Sequence, residues 1–262
     1  AMGSGHFLVE AVNYVSEKII TSLAKHPDHP VIEKIEELKE SIIKSVRDQG
    51  VEIDDSKLTE VNLIKRMVMK RCIYGVDLNP MAIELAKLSL WLDSFTLGAP
   101  LSFLDHHFKR GNSLIGSEVK EVRDLLSGSL FGSQFEGLLS ATTLFNQLAM
   151  IPDSTFGEVE ESKVLFDQGE KTLKPFKRLL DIHLTEHFID KKEMKGNPFA
   201  LIEDSIETVI TKPESLKGEI RKVYELSQDL QKEIGFFHWE LEFPEVWYDG
   251  GNELSRPGFH CV

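Results

Sequence analysis

The sequence predicts an α/β chain: a parallel sheet with helices between its strands, interrupted by a long all-helical stretch. Three observations lead there. A glycine turn, "GSG" (3–5), opens directly onto an amphipathic pattern. A short apolar run, "CIYGVD" (72–77), ends in a lone acidic residue and meets a helix-start signal at once. From about 117 to about 235, helical patterns follow one another with no convincing strand and no repeat.

Leu8, Val12, Val15, Ile19 and Leu23 recur at helical spacing and predict a helix over 6–24, broken by "HPDHP" (26–30). Ile35, Leu38, Ile42 and Val46 mark one face of a second helix over 31–48, with Gly50 as its stop signal. A third helix is predicted over 56–70. "CIYGVD" reads as a buried strand. Asn79 as N-cap and Pro80 at the first helical position start the next helix, whose apolar stripe is Met81, Leu85, Leu88 and Leu92. "FKRGNSLIG" (108–116) is strand-like and ends in a turn. In the helical stretch, loops hold Gly128, Gly132, Pro152, Gly169 and "KGNP" (195–198). Thr155 and Glu158 fit a capping box, and Val223, Leu226, Leu230 and Ile234 form the last amphipathic stripe. "FFHWELEFPEVW" (236–247) reads as aromatic-rich and non-helical, "GGNELSRPG" as a loop, and "FHCV" (259–262) as the start of a strand.

With 262 residues, 41% of them hydrophobic, the chain can bury one substantial core, or one core and a smaller module. No apolar run reaches membrane-span length and the start lacks a signal-peptide layout, so a cytoplasmic setting and no membrane partner are expected. The net charge of -13 argues against a chain that grips nucleic acid by its overall field, although DNA can still be the substrate of a larger protein. Lys65, Arg66, Lys70 and Arg71, and later Lys174, Lys177 and Arg178, read as solvated faces rather than DNA grips. Cys72 and Cys261 have no metal or redox spacing. In "DHHF" (105–108), adjacent histidines on a strand point to opposite faces and do not make a metal site. Trp239, Phe243 and Trp247 fit core packing or an inter-module seam better than base stacking.

Gly3 and Gly5 flank Ser4 just before a helix, where backbone can approach a ligand and N–H groups are unpaired. A dinucleotide fingerprint would want a glycine where Leu8 stands, so the turn alone fits a tight entry into a helix equally well. Asp77, at a strand end, has the chemistry to accept two hydrogen bonds from a ribose diol, with Leu78 beside it to cover an adenine face. Asn112, after the next strand, suits an adenine edge or a polar turn.

The pieces "GSGHF", "YGVDLNPMAIELAKLSLWL", "LSFLDHHFKRGNSLIG" and "FHWELEFPEVW" resemble, in family order, the N6-adenine DNA methyltransferases of large restriction-modification and phage-exclusion proteins. The resemblance implies an incomplete Rossmann-like class I methyltransferase sheet with a large all-helical insertion. Its parts would be a cofactor-binding α/β domain (1–116), the insertion (117–235) and a return to the α/β domain (236–262). It implies S-adenosyl-L-methionine as cofactor. Gly3, Ser4 and Gly5 would lie by the methionine portion, with Phe7 lining the pocket. Asp77 would hold the ribose hydroxyls and Leu78 the adenine face. Asn112 would meet the adenine edge, with Ser113 and Leu114 nearby.

The family's first motif reads Asp-Pro-Ala-Cys-Gly-Ser-Gly after a strand, and its catalytic motif Asn-Pro-Pro-Tyr follows a strand that "FHCV" would begin. The chain is therefore expected to be truncated at both ends, with no catalytic residue of its own and no activity in isolation. Double-stranded DNA would be engaged through the full-length parent and weakly or not at all by this acidic piece. A second copy or an exchanged strand is expected to cover the gap left by the first strand. An RNA or protein-glutamine methyltransferase, and a non-catalytic helical interaction module on a decayed cofactor domain, are the alternatives.

Overall fold

A computed structural model describes residues 2–50, 58–126, 135–189, 198–202, 205–249 and 252–262. The start of the predicted third helix (56–57), Gly128, Gly132, most of "KGNP" and Gly250–Gly251 lie outside the described residues. In chain order the described elements are α1 (His6–Leu23), α2 (Pro30–Asp48), α3 (Glu60–Cys72), β1 (Gly75–Asp77), α4 (Pro80–Asp93), β2 (Phe108–Arg110) and α5 (Val119–Leu126). There follow α6 (Phe135–Met150), α7 (Phe156–Thr185), α8 (Pro198–Ile202), α9 (Ile206–Thr211), α10 (Gly218–Ile234), α11 (Trp239–Glu242), α12 (Pro244–Trp247), β3 (Tyr248–Asp249) and β4 (Asn252–Glu253). The chain is mostly helical and divides into two units, Ala1–Arg110 with Gln147–Phe166, and Gly111–Asn146 with Asp167–Val262.

In the first unit, β1 and β2 pair in parallel, Gly75 opposite Phe108 and Asp77 opposite Arg110, and α4 makes the crossover between them. The Asn79 cap forms: its Oδ1 accepts from Met81 N at 3.0 Å. The apolar face of α2 is buried with Val12 of α1 and Leu63, Ile64, Val68 and Met69 of α3 in one core that extends to Phe108 of β2. The capping box at the start of α7 is reciprocal: Glu158 N donates to Thr155 Oγ1 at 3.2 Å, and Thr155 N to Glu158 Oε2 at 3.3 Å.

Three sequence expectations need correction in this unit. The large apolar stripe of α4 (Met81, Leu85, Leu88, Leu92) is exposed, whereas Ala82, Ile83, Ala86 and Leu90 are buried. The cause is close approach. Gly5 at the entry to α1 lies so near that a Cβ there would come within 2.8 Å of Ala86 Cα, so the small residues of α4 face inward. Arg66 and Lys70 are not solvated. Both are buried, and Lys70 Nζ pairs with Asp153 at 2.6 Å, an aspartate from the segment that follows α6. Finally, "DHHF" is not a strand up to Phe108: residues 105–107 form a turn, and His106 and His107 are both buried with ring centroids 4.0 Å apart. Among the described residues, no group of three or more His, Cys, Asp or Glu is placed to hold a metal ion.

In the second unit, the segment read as non-helical forms the short helices α11 and α12, with Pro244 starting the latter. Phe237, Trp239, Phe243, Trp247 and Phe259 form a contiguous aromatic cluster with centroids 5.0–6.0 Å apart. That is the core packing their composition suggested. "FHCV" carries no strand; the antiparallel pair β3–β4 precedes it instead. Residues 147–166, inside the stretch read as one insertion, belong to the first unit, tied there by Asp153. No helix among the described residues is long and apolar enough to cross a membrane.

Candidate functional site

Asp77 closes β1 and is buried. Its Oδ1 accepts from Asn79 N at 2.9 Å and its Oδ2 from Gly3 N at 3.1 Å. The glycine turn and the acidic strand end, 74 residues apart in sequence, therefore meet. Burial pushes the Asp77 carboxyl up, but the backbone N–H groups of Asn79, Gly3 and Met2 outweigh it and hold the group below the ordinary aspartate value. The group is thus an anion near neutral pH, at the carboxyl end of a parallel strand. Three backbone N–H groups leave the carboxylate with acceptor capacity to spare.

Positive φ values at Gly3 (55°) and Gly5 (80°) shape the turn, a conformation that glycine adopts without strain. Gly5 N donates to Met2 O at 3.2 Å, and Ser4 O accepts from Ser89 Oγ of α4 at 3.0 Å. The turn is thereby fixed on both sides. Leu78 beside Asp77 is 52% exposed and presents apolar surface next to an anion; Phe7, in the first turn of α1, is 80% exposed. Leu78 O accepts from Arg110 Nε at 3.2 Å.

Asn112, Ser113 and Leu114 belong to the second unit. Asn112 bridges Phe236 in parallel, its N donating to Gly235 O at 2.6 Å. Its Oδ1 accepts from Leu114 N at 3.2 Å, an Asx turn that occupies one acceptor site and leaves the amide donors available. Ser113 O accepts from Trp239 Nε1 at 3.0 Å, and Leu114 is 91% exposed.

Several determinants escape sequence reading. Gly111 and Gly116, read as part of a strand and turn, are packing glycines. A Cβ at Gly111 would lie 2.3 Å from Phe237 Cδ2, and one at Gly116 2.0 Å from Phe237 O. His238, inside the aromatic run, is a buried clamp: its Nδ1 accepts from Ser117 N at 3.1 Å and its Nε2 donates to Asp181 Oδ1 at 3.0 Å. Lys177, read as solvated, pairs with Glu170 and Glu242, each at 2.8 Å. Burial lowers its affinity for a proton, but the two carboxylates reverse that and raise it above the ordinary lysine value.

A parallel strand pair, a helical crossover and an acidic strand end tied to a glycine turn are compatible with a partial α/β fold. The sequence profile of the family described as Eco57I restriction-modification methylase matches residues 71–262. The chain belongs to that family, which supports a DNA methyltransferase role. Asp77, Leu78, Asn112, Ser113 and Leu114 fall within the matched span; Gly3, Ser4, Gly5 and Phe7 precede it. The chain matches no curated protein and no solved structure.

Proposed function

We propose that this chain holds S-adenosyl-L-methionine for the transfer of a methyl group to adenine N6 of double-stranded DNA in a restriction-modification or phage-defence system. The observation that carries this reading is the Gly3–Asp77 hydrogen bond, which joins the turn to the acidic strand end of a restriction-modification methylase. The residues present fit the cofactor. Asp77 is an anion with acceptor capacity left for a ribose hydroxyl, and Leu78 offers apolar area for an adenine ring. The Gly3–Ser4–Gly5 backbone brings no side-chain bulk to the methionine end beyond Ser4. In the second unit, the uncommitted amide donors of Asn112, with Ser113 and Leu114 beside it, suit an adenine edge. The bound cofactor would contribute an electrophilic methyl group; the chain contributes binding and orientation.

The 262 residues contain no Asn-Pro-Pro-aromatic sequence. In our reading, the groups that orient the target amine are not among them. The test is a tritium-labelled methyl assay on adenine-containing duplex DNA. We expect no label above background from this chain alone. Steady incorporation into adenine N6 would show that it carries its own catalytic groups; incorporation elsewhere would overturn the adenine assignment. β1 pairs only with β2 among the described residues. A second copy or exchanged strand on its other edge is our reading of the oligomeric state, and sedimentation giving a monomer at all concentrations would refute it.

A further inference from the structure

A cavity of about 410 Å³ lies within the first unit, bordered by α2, α3 and the segment 150–158. Its walls are chemically sorted. Lys34, Arg66, Lys70 and Arg71 supply four cations. Leu38, Met67, Met150 and Ile151 supply apolar surface. Glu37 and Glu158 are the carboxylates at the wall, with Asp153 behind Lys70. Glu158 Oε2 is already committed, accepting from Ser154 N, Ser154 Oγ and Thr155 N.

Arg66 and Lys70 are unusual lining groups because they are only 4% and 3% exposed. One carboxylate, Asp153, contacts Lys70, whereas Arg66 Nη2 donates only to neutral carbonyls, those of Pro100 and Asp153. Arg66 Nε is buried with no hydrogen-bond partner. An unpaired donor on a buried guanidinium is costly. Burial, partly opposed by Asp153 and, for Arg66, also by Glu158, pulls Arg66 down to about 10 and Lys70 to about 8. The wall sets four cations against Glu37, Glu158 and the adjoining Asp153. The cavity volume lies in the range of small-ligand sites.

We infer that this cavity binds a small organic phosphate monoester, its head against Arg66 and Lys70 and its apolar or aromatic body against Leu38, Met67, Met150 and Ile151. A phosphate monoester brings up to two negative charges and three acceptor oxygens, which suits several converging cations better than a single carboxylate does. Lys34 and Arg71, both exposed, form the rim that draws the head in. The site is separate from Asp77, whose surroundings share none of these residues.

The test is calorimetric titration of the whole chain with 1-naphthyl phosphate, which has no ribose or adenine to engage Asp77. The expected result is one-to-one binding, competition by inorganic phosphate, and at least tenfold weaker binding of 1-naphthol. The rim variant K34E/R71E leaves the buried pair intact and is expected to stay folded by circular dichroism while losing at least tenfold in affinity. D77A is expected to bind the probe unchanged. Absence of heat at millimolar probe, equal binding of 1-naphthol, or unchanged affinity in folded K34E/R71E would overturn the proposal. So would loss of probe binding in D77A, which would locate the probe at the cofactor site. A short DNA duplex that displaces the probe at lower concentration than inorganic phosphate would also overturn it, assigning the cations to a nucleic-acid backbone.

Discussion

α2 and α4 each carry a stripe of large apolar residues at helical spacing, yet the two stripes meet opposite surroundings. Ile35, Leu38, Ile42 and Val46 of α2 are at most 6% exposed. Met81, Leu85, Leu88 and Leu92 of α4 are 43–68% exposed, while its alanines and Leu90 are buried. Periodicity identifies a helix and its faces; it does not say which face finds a partner. On α2 the bulky face fills volume between helices. On α4 the inner face meets Gly5 at Ala86, where only a small residue fits, and the stripe of Met81, Leu85, Leu88 and Leu92 is left outside.

The largest expected effect separates the two helices directly. Ile42→Ala, at a fully buried position of α2, should lower stability by about 3–4 kcal/mol in urea unfolding. A loss below about 1 kcal/mol would show that the α2 face is not core. Gly5→Ala should cost about 2–3 kcal/mol, because its Cβ meets Ala86 backbone and its φ of 80° strains alanine. An unchanged midpoint would mean that the turn does not seat on α4.

The buried histidines that precede β2 give a pH-dependent version of the contrast. Burial pulls His107 from 6.5 down to about 3, partly opposed by its Nδ1–H donating to Ile73 O, and pulls His106 well below its ordinary value. In both cases the unfolded chain takes up a proton that the folded chain refuses. Stability should therefore fall as pH drops from about 6.5 toward about 3, by up to roughly 1.4 kcal/mol per pH unit for each histidine. Unfolding midpoints across that window for the native chain and His107→Phe check it; an identical slope in the two would remove His107 from the account. The smallest effect is expected on the exposed stripe, where Leu88→Ser should change stability by no more than about 0.5 kcal/mol.

Much of the architecture was legible from local signals. Helical spacing located α1, α2 and α10, and the Asn79–Pro80 start and the Thr155–Glu158 box are local chemistry written within four residues. The pairing of Gly3 with Asp77 was anticipated only because two motifs that suit the same ligand imply proximity. What was not legible rests on distant partners. Arg66 and Lys70 look like a solvated basic face until Asp153 is brought to them. Gly111 and Gly116 look like turn glycines until Phe237 lies against them. His238 has no signal in its own segment, because its partner Asp181 is 57 residues earlier. "FHCV" reads as a strand by composition, but a strand needs a neighbour, and none of the described strands lies beside it.

The central claim is that the Asp77 strand end, with the glycine turn bound to it, is a cofactor site. Its most direct test is calorimetric titration of the chain with S-adenosyl-L-methionine, repeated on Asp77→Ala. The account predicts micromolar binding, about -8 kcal/mol, weakened roughly hundredfold in the variant as the hydrogen bonds to a charged acceptor are lost. Equal affinity in the two proteins, or no binding by a folded native chain, would contradict it.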